Sequence, residues 1–346
     1  MGYKQVHKLA YSGETYLPPL AINTSVGLQR KNIPHSNPHP SDPIRAIFLD
    51  LDGTLLTPEH EILPTTRGYV MEAQDNGIIT IPVSGRPPAS VMHYLNQMRI
   101  PNSIYIASHH RIQIGDRLLH HIPIPQETTK DSIDLYNSNK LDLSSLEGLA
   151  DFLYFSGDRV VYINERHKQE SKRLEEYKRR NPPEGSVPGL QYTKLLFDLP
   201  RKPSIEDYLA SVNNSLPDKL IFLVDNPELA ISLKKDLTDR IGQYLQVMIS
   251  NGTYVELVSR DATKGNAVEW VLDKLQIDPK NAIAFGDGES DLTIQKIGVH
   301  VYLMGNAPQD LKDKARQMPN VTVIKWGPEQ DGIGRIIARI LKKPYK

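Results

Sequence analysis

A mostly apolar run, Ile44-Arg45-Ala46-Ile47-Phe48-Leu49, closes on Asp50-Leu51-Asp52-Gly53-Thr54. The run reads as a buried strand, and Gly53 marks where it opens into a loop. Alternate residues of a strand point to one side, so Asp50 and Asp52 are expected to face one pocket at the end of a sheet. Two bare carboxylates that close repel each other unless a cation sits with them. The segment therefore implies a metal, and the metal implies something anionic bound beside it.

From Asp42 onward the chain alternates strand and helix. A helix around 65–76 carries Val70, Met71 and Ala73 and stops at Gly77, a good C-cap residue. A strand at 78–83 leads into Ser84-Gly85-Arg86, and Pro87 and Pro88 open a helix with Val91, Met92, Leu95 and Met98 at helical spacing. Ile104-Tyr105-Ile106-Ala107 is a further short strand. Alternation resumes after about 256 with a helical face of Ala267, Val268, Val271, Leu272 and Leu275. A strand at 281–285 then delivers Gly286-Asp287-Gly288-Glu289-Ser290-Asp291, and strands at 301–304 and 321–324 complete the set. The expected class is α/β: a Rossmann-like parallel sheet with helices on both faces. Pro82, in a strand, removes a donor and is expected at the strand's frayed end.

Residues 111–255 differ in character, with a hairpin over 152–163, a charged helix from Arg166 to Arg180, a strand at 220–224 and a helix from Glu228 to Ile241. They are expected to form an inserted α+β domain between core segments 43–110 and 256–346. Tyr154, Phe155 and Tyr162 are expected in its interior. Residues 1–42 hold five prolines and little periodicity, Pro18, Pro19, Pro34, Pro38 and Pro40, and read as an arm and linker; a partner-binding role for this arm is the alternative.

Composition narrows the function. The 346 residues carry 41 Lys plus Arg against 41 Asp plus Glu, which argues against a nucleic-acid-binding surface spread over the chain. There is no cysteine, so disulfides, zinc–thiolate sites and cysteine nucleophiles are excluded, as fits a cytoplasmic protein. No apolar stretch approaches the roughly 20 residues of a membrane span.

Taken together, Asp50-Leu51-Asp52-Gly53-Thr54-Leu55, Ser84-Gly85-Arg86, Lys264-Gly265 and Gly286-Asp287-Gly288-Glu289-Ser290-Asp291 resemble the motifs of the haloacid dehalogenase superfamily of phosphohydrolases. The likeness is to its Cof-type branch, which inserts a large α+β cap between the second and third motifs. Met304-Gly305-Asn306-Ala307 and Asp331-Gly332 also match, and the resemblance spans about 43–340. It implies a magnesium-dependent phosphatase acting on a small phosphorylated metabolite. Sugar phosphates are the usual substrates of such lookalikes, and flavin mononucleotide and pyridoxal phosphate are further candidates. By resemblance Asp50 is the nucleophile that becomes an aspartyl-phosphate, and Asp52 the general acid and base. Mg²⁺ would be held by Asp50, the backbone carbonyl of Asp52, Asp287 and, directly or through water, Asp291. Ser84, Gly85 and Lys264 would bind the phosphate. Lys264 has a physical reason of its own, since it stands near a helix start, where the dipole and free N–H groups favour anions. Two other functions are open: phosphotransfer between sugar positions, as in phosphomannomutases, and action on a protein carrying phosphotyrosine.

Bland readings stand beside these. Ser84 would equally serve as a helix N-cap, Lys264 as a solvated first-turn lysine, and Arg86 as a pin for its loop in place of a substrate contact. The chain also departs from the branch. Ser290 replaces its usual Asn, and Ala107-Ser108-His109-His110 replaces its Asn-Gly turn. His109 and His110 would then either meet substrate or sit at a solvent-facing hinge. A transition-metal cluster of His109, His110, His120 and His121 is disfavoured, for want of cysteine or a fixed ligand spacing.

Overall fold

The computed structural model describes residues 43–124, 149–156, 159–162, 216–224, 227–250, 252 and 254–345. The expectations for residues 1–42, for the helix at 166–180 and for the side chains of Tyr154, Phe155 and Tyr162 fall outside what it describes.

In chain order the first half of the core gives β1 (Ala46–Leu49), α1 (Pro64–Asp75), β2 (Ile79–Pro82), α2 (Pro88–Gln97) and β3 (Ile104–Ala107). Next come β4 (Arg111–Ile114), β5 (Arg117–His121), β6 (Leu149–Ser156), β7 (Arg159–Tyr162), β8 (Lys219–Val224), α3 (Pro227–Ile241), β9 (Leu245–Ser250) and β10 (Tyr254–Ser259). The chain then returns through α4 (Lys264–Leu275), β11 (Ala282–Gly286), β12 (His300–Leu303), α5 (Gln309–Ala315), β13 (Val321–Val323) and α6 (Gly332–Ile340).

Five strands form a parallel sheet in the order β13-β12-β11-β1-β2. The central strand β1 shows why its sequence is apolar at nearly every position. Ala46 and Phe48 enter one hydrophobic cluster with Val268, Val271 and Leu272 of α4. Ile47 and Leu49 enter another with Val70 of α1, Val91 and Leu95 of α2, and Ile336 and Ile337 of α6. A strand covered on both faces buries every side chain, so its sequence runs apolar without alternation. Pro82 is the last residue of β2, opposite Leu49, but the strand does not fray there as expected: the Val83 N–H donates to the Leu49 carbonyl at 2.8 Å and the Ser84 N–H to the Ile106 carbonyl at 2.9 Å.

The other strands pair antiparallel. β7-β6-β8-β10-β9 make a second sheet, and β6 and β7 form the expected hairpin, with Ser156 opposite Arg159. A third sheet, β3-β4-β5, corrects one expectation. Ile104–Ala107 heads this antiparallel sheet and touches the parallel one through a single bridge, Val83 to Ile106. The reason is local. The crossover through α2 brings β3 alongside β2 in parallel only at the Val83–Ile106 bridge, whereas Ser108 (φ 47°) and His109 (φ 66°) turn the chain straight back, so that β4 pairs antiparallel along the whole of β3. No helix among the described residues is long and apolar enough to cross a membrane.

Candidate active site

The site lies at the carboxyl ends of β1 and β11. Asp50 continues the pairing one residue past β1, its N–H donating to the Phe285 carbonyl at 3.1 Å. The chain then turns, with the N–H groups of Thr54 and Leu55 reaching back to Leu51 and Asp50. Strand alternation therefore stops at Leu49, and Asp50 and Asp52 do not share one cluster. Gly53 makes the turn at φ 71°, and a Cβ there would meet Asp287 Oδ2 at 2.1 Å. Only glycine satisfies both demands.

Asp287 follows β11 directly. Thr54 Oγ1 donates to its Oδ1 at 3.4 Å, and Asn306 Nδ2 donates to its Oδ2 at 3.3 Å and to the Gly53 carbonyl at 2.9 Å. Asp291 opens a 3₁₀ turn, Asp291–Ile297, and its Oδ2 accepts from the N–H groups of Asp287 (3.2 Å) and Gly288 (2.9 Å). Lys264, the first residue of α4, donates from Nζ to Asp50 Oδ1 at 2.6 Å and to Asp291 Oδ1 at 2.7 Å. The helix start is fixed by Thr263, whose hydroxyl accepts from Asn266 N at 3.1 Å, and by Thr293, whose hydroxyl accepts from Gly265 N at 2.9 Å. One carboxylate oxygen each from Asp50, Asp287 and Asp291 lies within 4.8 Å of the others.

Electrostatics describe a site short of positive charge. Burial pushes the Asp50 carboxyl well above its usual range, with Asp291 and Asp287 adding to the rise and Lys264 opposing it. Asp287 is raised to about 6, by burial and then by Asp291. Burial disfavours the Lys264 ammonium, but Asp291 and Asp50 together hold its proton more tightly than usual. Three carboxylates around one ammonium leave a deficit that a divalent cation would fill, and an all-carboxylate oxygen set suits a hard ion. Among the described residues this is the one acidic or histidine group with such geometry.

Asp52 stands apart. Arg86 grips its carboxylate with two N–H groups, Nε on Oδ2 at 2.7 Å and Nη2 on Oδ1, while Nη1 is anchored on Ser90 Oγ at 3.1 Å. His60 Nδ1 adds a contact to the guanidinium at 2.8 Å and lies 3.4 Å from Asp52. Burial would raise the Asp52 carboxyl, but the Arg86 hydrogen bonds and charge hold it below its usual range. Arg86 thus pins the loop after β1. Ser84 is buried; its hydroxyl accepts from Arg86 N at 3.1 Å, and the N-cap of α2 is Pro87. Gly85 packs on the His109 ring, where a Cβ would lie 3.0 Å away.

The histidines divide. His109 is half-buried 3.8 Å from Glu256, and its partial burial lowers its pKa. His110 is buried, with Nδ1 3.3 Å from the Thr263 carbonyl and its ring edge-on to His120, which stacks on Trp270. His121 pairs with Asp218 at 3.1 Å, as does Arg111 at 3.2 Å. These four do not converge on a common point. Ser290 borders the site half-buried, its carbonyl accepting from Thr293 Oγ1 at 2.6 Å.

Two predictions arise here. Burial lowers the His110 pKa from 6.5 to about 4. Below pH 6.5 the unfolded chain takes up a proton that the folded chain refuses until about pH 4, so stability falls as pH drops through that window. The loss for this one group reaches about 3 kcal/mol. Urea unfolding of His110→Gln should show a shallower decline from pH 7 to 4.5 than the parent; matching slopes would remove this account. Second, Gly53→Ala should fold yet bind a divalent cation at the Asp50, Asp287 and Asp291 cluster about 10–100-fold more weakly by calorimetry, on the scale of other changes behind metal ligands.

Asn306, Thr293, His60 and Thr54 carry no role in the sequence reading. Thr54 lies inside the Asp50-Leu51-Asp52-Gly53-Thr54 motif and Asn306 inside the Met304-Gly305-Asn306-Ala307 match, without a role assigned to either; no motif pointed to His60 or Thr293.

The profile of haloacid dehalogenase-like hydrolases matches residues 47–337. The chain belongs to this family, in its Cof-type branch, and is a phosphoric monoester hydrolase. It is 25% identical over 306 residues to the 5-amino-6-(5-phospho-D-ribitylamino)uracil phosphatase of Bacillus subtilis, covering 87% of this chain and 100% of that one. Its fold is similar to a haloacid dehalogenase-like hydrolase from B. subtilis, at TM-score 0.65 and 21% identity over 85% of this chain and 98% of the other. It is similar also to a sugar phosphatase of haloacid dehalogenase subclass IIB, at TM-score 0.61 and 19% identity over 85% and 98%.

Proposed function

We propose that this protein is a cytoplasmic, magnesium-dependent phosphatase of small phosphorylated metabolites, with sugar or polyol phosphates as substrates. The observation that carries the reading is the meeting of Asp50 with Asp287 and Asp291 around Lys264. The relatives that act on a sugar phosphate and on a phosphoribityl compound support the substrate class. The domain division follows the same reading: core segments 43–110 and 256–346, and a cap over 111–255 whose sheet runs on to Ser259 through β10.

Magnesium held by Asp50, the Asp52 backbone carbonyl, Asp287 and Asp291 would neutralise charge on the phosphoryl group and on its attacker. The Asp50 carboxylate attacks phosphorus, and the ester P–O bond breaks as the Asp50 O–P bond forms. Asp52 is held ionised by Arg86, so to give a proton to the leaving oxygen it would first have to loosen from that grip and take up a proton. As the carboxylate it would then accept one from the water that cleaves the aspartyl-phosphate. Inorganic phosphate leaves and Asp50 is regenerated. Ser84 and the Gly85 N–H hold non-bridging oxygens, and Lys264 balances their charge. Arg86 positions Asp52 in place of touching substrate.

The test is a panel of phosphate esters assayed for inorganic phosphate with magnesium and with a chelator. Chelator-sensitive release, fastest with sugar or polyol esters, is expected. Isomer formation without phosphate release would transfer the reading to a phosphomutase, and release from phosphotyrosine peptides alone would transfer it to a protein target.

A further inference from the structure

The Ser84-Gly85-Arg86 loop has three carbonyls, and each meets a donor. Ser84 O accepts from His109 N at 3.0 Å, and Arg86 O from Ser108 N at 2.8 Å. Both donors sit in the left-handed turn that reverses the chain after β3. Gly85 O accepts from the ammonium of Lys219 at 3.0 Å. Lys219 comes from β8, in the antiparallel sheet, 134 residues away in sequence. It is buried, and its charge is met at 2.9 Å by Glu256 of β10, a diagonal neighbour on the same face.

The contact reaches the phosphate site by a short path. A peptide unit is planar, so holding the Gly85 C=O also holds the Arg86 N–H on the opposite edge. That N–H donates to Ser84 Oγ at 3.1 Å. A hydroxyl that accepts this bond has its own proton left to donate. An ammonium on the carbonyl polarises the peptide and strengthens the N–H as a donor. Among the described residues nothing accepts from the Gly85 N–H, which leaves it for an anion.

We infer that Lys219 is a positioning residue for the phosphate loop: through the Gly85–Arg86 peptide it orients the Ser84 hydroxyl, so the inserted sheet completes the phosphate site whatever the leaving group. This rests on the phosphatase reading above. It adds that a residue of the cap acts on the phosphoryl end of the substrate as well as on the end that varies.

The test compares Lys219→Met, Lys219→Arg and the charge-neutral pair Lys219→Met with Glu256→Gln, each checked for folding by thermal melt. The neutral pair keeps the experiment decisive should Lys219→Met alone leave Glu256 buried without its cation and fail to fold. Loss of the loop's donor is expected to lower kcat/KM on the order of 10²-fold, the scale of a small misplacement at a reacting centre. The loss should be similar for 4-nitrophenyl phosphate and for a hexose phosphate. The competitive inhibition constant of inorganic phosphate should rise in parallel, and Lys219→Arg should restore much of both. In a Ser84→Ala background the Lys219 substitution should cost little more, since its effect runs through that hydroxyl. Additive losses, an unchanged phosphate inhibition constant, or a loss confined to the hexose ester would each overturn the inference. A wild-type protein that neither hydrolyses phosphate esters nor binds inorganic phosphate would overturn the phosphatase reading itself.

Discussion

Asp50→Asn should abolish phosphate release while leaving the fold intact, with a loss on the order of 10⁴-fold or more, as for other covalent nucleophiles. The substitution is nearly isosteric. Its amide oxygen can still accept from Lys264, now 2.6 Å from Oδ1, so packing at the end of β1 is preserved. What disappears is the anionic oxygen that would form the bond to phosphorus. Stability should not suffer, because the change removes one of three clustered negative charges. In magnesium-free buffer the melting temperature should stay level or rise. The pair of measurements is diagnostic: inorganic phosphate release at saturating magnesium, and a thermal melt without it. A variant that keeps parental turnover would end the assignment of Asp50 as nucleophile, and with it the aspartyl-phosphate route.

Lys264→Met carries the largest expected effect on stability. Asp50 and Asp291 are 7% and 1% exposed, and Lys264 stands between them at 3%. Methionine fills similar volume but leaves two buried carboxylates facing each other. Breaking a buried pair by removing one partner costs about 3–5 kcal/mol. Here the remaining charges are of one sign, which places the variant at the upper end. Magnesium should offset part of that loss, because a divalent cation on Asp50, Asp287 and Asp291 replaces the missing positive charge. Urea unfolding with and without magnesium therefore separates the contributions. The parent should gain modestly from the ion and the variant should gain more. Equal stability of variant and parent in chelator would mean that Lys264 does not balance this cluster. Activity should fall as well, since the same ammonium is proposed to meet the phosphate.

How much of this was legible in the chain depends on whether a residue's partner is near or far in sequence. β1 was legible because Ala46 to Leu49 is apolar at every position, the mark of a strand covered on both faces. α4 was legible from Ala267, Val268, Val271 and Leu272 at helical spacing, all of which are buried. The acidic motifs were legible because each is contiguous and sits at a strand end, and the later one follows β11 as expected. The place of Ile104–Ala107 was not, because a short buried strand looks alike in either kind of sheet. The two left-handed residues that turn it, Ser108 and His109, belong to types that give no glycine-like signal.

Pairing across distance was the other gap. Arg86 reads equally well as a loop pin or a substrate contact until Asp52, 34 residues earlier, is found in its grip. Nothing in a mixed strand such as Lys219–Val224 marks its first lysine as a donor to the Gly85 carbonyl. Asn306, which donates to both Asp287 and the Gly53 carbonyl, is in sequence only a polar residue within the Met304-Gly305-Asn306-Ala307 match, with nothing to name its partners.

The amino-acid order alone determined the strand–helix alternation, the parallel core and the chemistry of its strand ends, because those depend on periodicity and on short contiguous motifs that chain geometry turns directly into position. The folded molecule alone decided which carboxylate joins the buried cluster and which is held by arginine. It also decided which lysine balances charge and which one holds the loop. Such choices rest on burial and on contacts between groups dozens to hundreds of residues apart, where a bond of 2.6 Å and a separation of 20 Å look the same along the chain.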